Sequence, residues 1–315
     1  MDVVSDAVAA MRTGAPHSSR TRLHAPWGIR FEPQEGAGFH VILQGACWLL
    51  PVRGEPLPLG VGDVVFLPRE LGHAIADAPT TPLRNATTRR LVDAASPAAG
   101  VGAGGAATVM LCGAYRLDQS RTHPLLAEMP DVVHLPARVG QHSSLRGAVD
   151  LLGRELTTEP LPGSAGVVPA LLDVLLLYIL RAWHDEQAEQ ATTGWGPALR
   201  DPAVTAALRA IHRAPAQPWT VQALATQAGL SRSAFAERFT ATVGSPPLTY
   251  LTWWRMTTAA RMLRDTDLLL RSVAERTGYA SEYAFAKAFK REFGIAPGQY
   301  RNSSRSLPGD NANTG

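Results

Sequence analysis

The 315-residue sequence predicts an α+β protein, with a β-rich N-terminal half flanked by helices and an all-helical C-terminal domain. Three observations lead to this prediction. Short runs rich in Val, Leu and aromatic residues, punctuated by Gly and Pro, are typical of strands from about residue 20 to residue 117. From Ser143 onward, apolar residues recur at helical spacing. Residues 231–250 and 281–300 repeat one pattern at an offset of 50, which indicates a supersecondary unit used twice.

The N-terminal half predicts a short helix, a group of strands and then two longer helices. The helix lies within residues 1–18. The second of the longer helices is apolar nearly all round, so its own domain or a second subunit must bury it. The clearest strand runs are HVILQGACWLL (40–50), DVVFLP (63–68) and TVMLCGAYRL (108–117), and the two longer helices span residues 143–156 and 169–187.

Composition excludes several classes of protein. Hydrophobic residues make up 45% of the chain, as in globular proteins. The stretch Val167–Ile179 is interrupted by Pro169 and Asp173, so we expect no membrane span. The N-terminus lacks the basic start and apolar run of a signal peptide, and two cysteines provide no disulfide framework. These features predict a cytoplasmic protein.

Charge is distributed unevenly along the chain. The net charge is +3, but residues 199–305 carry +8 and residues 1–198 carry −4. The two lysines of the chain, Lys287 and Lys290, both lie in the second copy of the repeat. A basic domain attached to a mildly acidic one is typical of a nucleic-acid-binding module joined to a second function.

Each copy of the repeat has the order short helix, glycine turn, longer helix. In the first copy Thr220 and Ser231 stand at N-cap positions and Gly229 at the turn between the two helices. Phe235 and Phe239 are four residues apart, so they share one helix face and pack inward. This is the helix-turn-helix pattern, whose second helix can enter a DNA major groove.

The second copy repeats these features. Gly278 provides the turn, Ser281 the cap, and Phe285, Phe289 and Phe293 an apolar stripe. Between the copies, residues 247–265 predict one long helix of about 27 Å. Because major grooves on one face of B-DNA recur about every 34 Å, such a connector could direct the two recognition helices into successive grooves.

Residues 201–301 resemble the AraC/XylS family of transcription regulators. The resemblance rests on WTVQALATQAGLSRSAFAERF, YLTWWRMTTAARMLRD and GYASEYAFAKAFKREFGIAPGQYR. It implies base-reading positions at Ser233, Ala236 and Glu237 in the first copy and at Glu282, Tyr283, Ala284 and Lys287 in the second. It makes Arg232, Arg238, Lys290 and Arg291 candidates for phosphate contacts.

Residues 20–117 resemble the cupin β-barrel of AraC-type sensors. The run GDVVFLP…H fits the second cupin motif, with Gly62, Pro68 and His73 at the expected spacing and Glu70 where the motif usually has glycine. His40 corresponds to the histidine of the first motif. The resemblance implies that His40 and His73 line an effector pocket inside the barrel.

Other positions of the first cupin motif depart from the pattern. Ile42 replaces the usual second histidine, and Cys47 or a neighbour falls where a ligand glutamate is expected. Cys47 lies seven residues after His40, so on a straight strand it would point to the opposite face unless a bulge or turn intervenes. If such a bulge or turn is present, Cys47 joins His40 and His73 in the candidate pocket. Two alternatives stay open: the two histidines hold a metal ion, or the pocket contains no metal.

We predict four segments from these observations. They are residues 1–190 for a cupin-like sensor and dimerisation domain, 191–202 for a linker, 203–302 for a tandem helix-turn-helix DNA-binding domain, and 303–315 for a disordered tail.

The predicted function is a sequence-specific DNA-binding transcription regulator, with no catalytic residues and no required cofactor. Its predicted partners are double-stranded promoter DNA, a small-molecule effector or chemical stress, a second copy of the chain, and RNA polymerase if it acts as an activator; none is a membrane. The alternative is a metal-dependent cupin oxygenase or isomerase with an appended DNA-binding module. A metal-dependent cupin enzyme needs roughly three protein ligands with open positions for substrate, whereas two are visible here.

Overall fold

A computed structural model describes residues 2–85, 105–118, 123–156, 161–187 and 194–306. The chain divides into two compact units. One comprises Arg12–Glu189, and the other comprises Met1–Met11 together with Gln190–Gly315. We call them the barrel unit and the helical unit.

The barrel unit contains two five-stranded sheets. The strands are β1 (His17–His24), β2 (Gly28–Phe31), β3 (Ala37–Gln44), β4 (Cys47–Pro51), β5 (Leu57–Leu59), β6 (Val64–Leu67), β7 (His73–Ala76), β8 (Arg84–Asn85), β9 (Ala107–Tyr115) and β10 (Val133–Leu135). Their orders are β1-β9-β3-β6-β10 and β5-β4-β7-β2-β8. The pairs are antiparallel apart from β2 and β8. The predicted sheet-rich cupin fold is confirmed.

The core of the barrel unit is built from apolar side chains of both sheets. Strand β6 is buried along its whole length, as its run of Val and Phe predicts. Burial of such side chains stabilises the fold by about 1.5–3 kcal/mol each. One cluster of this core consists of Leu23, Trp27, Ile42, Cys47, Leu49, Leu59, Val65, Leu67, Ile75, Met110 and Cys112.

Helices pack beside these sheets. They are α2 (Pro124–Ala127), α3 (Ser143–Glu155) and α4 (Ser164–Gln187). Helix α4 begins five residues before the predicted start at Pro169, so this proline lies inside the helix. The hydroxyl of Tyr115 donates a hydrogen bond to the carbonyl of Leu172 at 2.9 Å, and Arg12 Nη1 donates to Asp173 Oδ2 at 2.8 Å.

Helix α4 is buried on one face only. Leu172, Leu176 and Ile179 are buried, whereas Val167 and Val174 are exposed. Among the residues that the structure describes, α4 is the one helix long and apolar enough to cross a membrane. A helix in a protein core passes the same test, so this property is weak support for a membrane span.

The helical unit contains both copies of the repeat. Its helices are α1 (Val3–Met11), α5 (Trp195–Arg200), α6 (Pro202–Arg213), α7 (Val221–Gln227), α8 (Arg232–Val243), α9 (Pro247–Asp265), α10 (Leu270–Arg276), α11 (Glu282–Phe293) and α12 (Pro297–Ser306). Helices α7 and α8 form the first helix-turn-helix, α10 and α11 the second, and α9 is the predicted long connector.

The predicted caps of these helices are present. Thr220 Oγ1 accepts a hydrogen bond from the backbone of Ala223 at 3.0 Å. The hydroxyls of Ser231 and Ser281 accept from the residues three positions later, at 3.3 and 3.1 Å. Gly244 and Gly294, with φ of 78° and 75°, end the recognition helices in the left-handed conformation that glycine allows.

The boundaries of the helical unit differ from the predicted ones. Residues 195–200 belong to α5 rather than to a linker, because Trp195 is fully buried with its ring 5.9 Å from that of Tyr250. Asp201 caps α6 as predicted, and residues 303–306 extend α12 instead of starting a tail. The remaining linker positions 191–193 and tail positions 307–315 lie outside the described residues.

Helix α1 also differs from the prediction, which assigned it to the sensor domain. It packs against α6 and α9 of the helical unit. Val3, Ala7 and Met11 of α1 are buried there. Apolar residues on one helix face do not encode which part of a chain will cover them.

Candidate nucleic-acid interface and sensor pocket

The first recognition helix, α8, buries Phe235 and Phe239 and exposes its opposite face. The two rings contact each other at 5.5 Å between centroids. This packing holds the predicted base-reading face outward. Arg232, Ser233, Glu237 and Arg238 are exposed, and Ala236 is half-buried.

The second recognition helix, α11, is held in the same way. Phe285 and Phe289 are buried, and Phe293 and Tyr300 pack on Phe289 at 4.3 and 5.4 Å. Tyr283 is 79% exposed, so a large aromatic ring stands on the outer face without a packing role. The other exposed residues of this face are Glu282, Ala284, Lys287, Lys290 and Arg291.

The two recognition helices differ in available positive charge. The guanidinium of Arg238 pairs with Asp201, the residue that also caps α6. Within the described ranges, neither Lys287 nor Lys290 forms an ion pair, and Arg291 lies only 3.5 Å from the neighbouring Glu292 in an exposed contact. Exposed pairs of this kind contribute little energy, so α11 presents three cations while α8 presents Arg232.

Inside the barrel unit, His40 and His73 come together as predicted. Their Nε2 atoms are 2.7 Å apart, and both residues are buried. His40 Nδ1 lies 3.1 Å from Cys112 Sγ, and His73 Nδ1 lies 2.8 Å from Glu70 Oε1. Phe31 stacks on His73 at 4.6 Å, which fixes the orientation of that ring. The four polar side chains form one buried row.

Cys47 points into the same core. The turn at Gly45, with φ of 76°, separates β3 from β4 and resolves the problem posed by the odd spacing from His40. Burial, followed by the charge of Asp63, raises the pKa of Cys47 to about 12. Burial also raises the pKa of Cys112. Both thiols therefore stay protonated at neutral pH, so neither is a reactive thiolate.

The two histidines are held by each other and by two further polar side chains. Their Nε2 atoms face each other directly, while their Nδ1 atoms face Cys112 and Glu70. In the part of the chain that the structure describes, no group of three or more His, Cys, Asp or Glu side chains is arranged to hold a metal. Burial and the charge of His73 lower the pKa of His40 well below its usual value, so His40 is neutral at pH 7. The arrangement is that of a hydrogen-bonded pair.

Sequence reasoning missed Cys112 and Glu70 as members of this row. Cys112 lies opposite His40 in the β3–β9 register, a pairing across 72 positions of the chain. Glu70 gave a weak signal, because it replaces the glycine usual in the second cupin motif.

Two openings adjoin the barrel. A cleft of about 20 Å³ exposes the edge of the buried row and is lined by Pro51, Arg53, Glu70 and His73. A larger cavity of about 150 Å³ lies between β10 and α3, lined by Leu135, Leu145, Val149 and the polar residues His142, Arg146 and Asp150.

Acid should destabilise the barrel unit through His40. Because the pKa of His40 is lowered on folding, the unfolded chain takes up a proton here first as pH falls. The contribution of neutral His40 to the unfolding free energy is fully present above the histidine pKa of the unfolded chain, about 6.5. It is lost as pH falls from there toward the lower pKa of the folded state. Between pH 7 and pH 5 we therefore expect the unfolding free energy of the barrel unit to fall, in part through this residue.

Urea unfolding of wild type and His40→Gln at the two pH values measures this effect. We expect a smaller loss of unfolding free energy in the variant than in the wild type. Equal losses would mean that His40 is not the titrating group.

Comparison with known proteins identifies both units. A family model described as Cupin matches residues 2–185, and one described as Helix-turn-helix domain matches residues 224–303. A putative AraC-like transcription regulator of Streptomyces lividans is 35% identical over 304 residues, covering 96% of this chain and 98% of that protein. The RCS-specific HTH-type transcriptional activator RclR of Escherichia coli (strain K12) is 30% identical over 288 residues, covering 89% and 91%.

A solved structure is similar to about a third of the chain. The DNA-binding domain of AdpA, in complex with a target DNA, is 34% identical and covers 33% of this chain and 94% of that chain, with a TM-score of 0.32.

Proposed function

The chain belongs to the AraC-type family of transcription regulators, and from this premise we propose that it binds promoter DNA as a homodimer and responds to a small molecule or chemical stress through its cupin domain. The relatives named above are transcription regulators, so the alternative of a metal-dependent cupin enzyme is not favoured. We further propose that the protein acts in the cytoplasm.

The observation that carries the DNA-binding role is the pair of recognition helices with open polar faces. Both helices are held by buried phenylalanines, so their outer residues are free to meet a groove. The exposed cations of α11 supply contacts to phosphates, which dominate affinity for DNA. The small side chains Ser233 and Ala236 on α8 suit close approach to base edges, with little capacity for long polar contacts.

A transcription assay tests the regulatory role. A reporter gene is placed behind a duplex that the wild-type protein selects from random sequence. We expect the wild-type chain to change reporter output, upward if it recruits RNA polymerase as an activator, and His73→Phe to hold the output at one level across growth conditions. Unchanged output with a folded, expressed wild-type protein would refute the proposal.

The proposed effector site is the buried row with Cys47. Support comes from the convergence of His40 and His73 and from the cleft that reaches Glu70 and His73. The row offers imidazole and carboxyl groups beside aromatic Phe31, and the cleft of about 20 Å³ admits only a very small hydrogen-bonding molecule.

The proposed dimer surface is the outer stripe of α4. Val167, Leu171, Val174, Tyr178 and Arg181 follow each other at spacings of four and three residues. That spacing is typical of a helix–helix seam. The guanidinium of Arg181 lies over the ring of Tyr178 at 5.7 Å, at the polar end of the stripe. A second copy presenting the same stripe would cover these apolar side chains.

Replacing Val174 by glutamate should break the dimer. In a two-fold interface the same change occurs on both sides, so two carboxylates would lose water near one another. We expect the dimer dissociation constant, measured by sedimentation equilibrium, to rise at least about tenfold. Val139→Glu is the matched control, because Val139 is 98% exposed in a loop. Equal dissociation constants for the two variants would remove α4 from the interface.

A further inference from the structure

The equivalent tyrosines of the two copies, Tyr250 and Tyr300, have different hydrogen-bond partners for their hydroxyl groups. In the second copy the hydroxyl of Tyr300 accepts a hydrogen bond from Arg264 Nη1 at 3.3 Å. In the first copy the hydroxyl of Tyr250 lies 2.7 Å from His212 Nε2. His212 in turn has Nδ1 3.5 Å from Asp6 Oδ2. Asp6, from the start of the chain, therefore extends the polar contacts of Tyr250 in the first copy. Asp6 lies outside the repeated sequence, so the repeat does not predict this contact.

Asp6 reaches this position because α1 is docked on the helical unit. Six of its nine residues are buried, including Ala7 at 0% and Met11 at 1% relative exposure. A helix of nine residues is marginal by itself in water, so packing against α6 and α9 is what stabilises it. The carboxylate of Asp6 is itself buried, and such a group is costly unless it is partnered.

The ring of His212 is fixed on its second face as well. It stacks on Trp254 at 3.7 Å with an interplanar angle of 4°. Asp6, His212, Trp254 and Tyr250 thus form one buried cluster shared by α1, α6 and α9.

This cluster leads directly to the first recognition helix. The ring of Tyr250 packs edge-on against Phe239 of α8 at 6.0 Å, and Phe239 contacts Phe235 at 5.5 Å. The outer residues of α8, among them Arg232 and Glu237, remain exposed with α1 docked. Helix α1 therefore supports α8 from behind and does not cover its DNA-facing side.

We propose that α1 positions α8 through the cluster of Asp6, His212 and Tyr250. Docking of α1 is then required for full affinity at the part of the DNA site that the first helix-turn-helix reads. The proposal rests on the DNA-binding function above. The chain passes from α1 to the barrel unit at Arg12, whose guanidinium pairs with Asp173 there. The barrel unit is thus covalently joined to α1, and α1 reaches α8 through the packed cluster.

A pair of variants on α1 tests the proposal without altering any residue of α6, α8 or α9. Ala7→Glu places a charge in the docked face, while Ala9→Glu makes the same change at an exposed position two residues away. The probe is a duplex selected from random sequence by the wild-type full-length chain. Hydroxyl-radical footprints of Arg232→Ala and Lys287→Ala assign the parts of this duplex protected by α8 and α11.

We expect Ala7→Glu to bind about tenfold more weakly than Ala9→Glu and to lose protection only in the part assigned to α8. Amide hydrogen exchange should quicken in α8 and α9 but not in α11. Equal affinities and footprints for the two variants would overturn the proposal. Loss of protection at both parts, with faster exchange throughout the helical unit, would also overturn it, because α1 would then be a general stabilising element. If the wild-type chain selects no duplex, the proposed DNA-binding function is refuted, and the role of α1 is refuted with it.

Discussion

Replacing Lys287 and Lys290 together by glutamate is expected to weaken DNA binding on the order of 100-fold at physiological salt. Both side chains are exposed on α11, and within the described residues neither has an acidic partner that would compete with phosphate. The double change removes two attractions and adds two repulsions, each of about 1 kcal/mol in water without salt. Their unscreened sum of about 4 kcal/mol would correspond to nearly 1,000-fold, and screening at physiological salt lowers this toward 100-fold. Fluorescence anisotropy with a selected duplex measures the dissociation constant.

Two further variants serve as controls for the lysine reversals. Arg20→Glu with Arg30→Glu makes the same change in net charge at exposed positions of the barrel unit and should alter affinity only slightly. Ser233→Ala on α8 should have a smaller effect than the lysine reversals. If the serine variant lost more affinity than the double lysine variant, the assignment of phosphate anchoring to α11 would be wrong.

Truncating Phe289 to alanine should destabilise the helical unit by about 3–5 kcal/mol. Its ring is fully buried and contacts Phe285, Phe293 and Tyr300 with centroid distances of 4.3 to 5.7 Å. The cavity left behind would open the packing between α11 and α12, and a loss of this size is a large part of the stability of an ordinary domain. Urea unfolding followed by circular dichroism measures the change.

Tyr283→Ala separates folding from recognition in the same helix. Tyr283 is 79% exposed, so its removal should leave the unfolding free energy within about 0.5 kcal/mol of the wild type. DNA affinity should still fall, because the ring stands on the face assigned to base reading. A stability loss in Tyr283→Ala comparable to that in Phe289→Ala would contradict the orientation of α11.

The helix-turn-helix units could be predicted from sequence because their signals are local. A cap such as Ser281 acts on a backbone donor three residues away, and a pair such as Phe235 and Phe239 shares a face by helical geometry alone. The fifty-residue repeat then reinforces each assignment. The same locality explains why the long connector α9 was predicted with its observed bounds.

Features set by distant contacts could not be predicted. The segment containing Trp195 has the Gly and Pro content of a linker, yet burial of one indole ring makes it part of the helical unit. Nothing near Asp6 indicates that its partner is His212. Cys112 and Glu70 join the histidines through strand register and a turn, which a single sequence does not specify.

We expect both helix-turn-helix units to hold DNA through their exposed recognition faces. The salt dependence of binding by the full-length wild-type chain tests it most directly. About four phosphate contacts, from Arg232, Lys287, Lys290 and Arg291, predict that the logarithm of the binding constant per protomer falls with the logarithm of salt concentration at a slope of about −3.6. A slope near −3 to −5, reduced by about 2 in Lys287→Ala with Lys290→Ala, is the predicted result. No binding at low salt by folded protein, or a slope near zero, would contradict the claim.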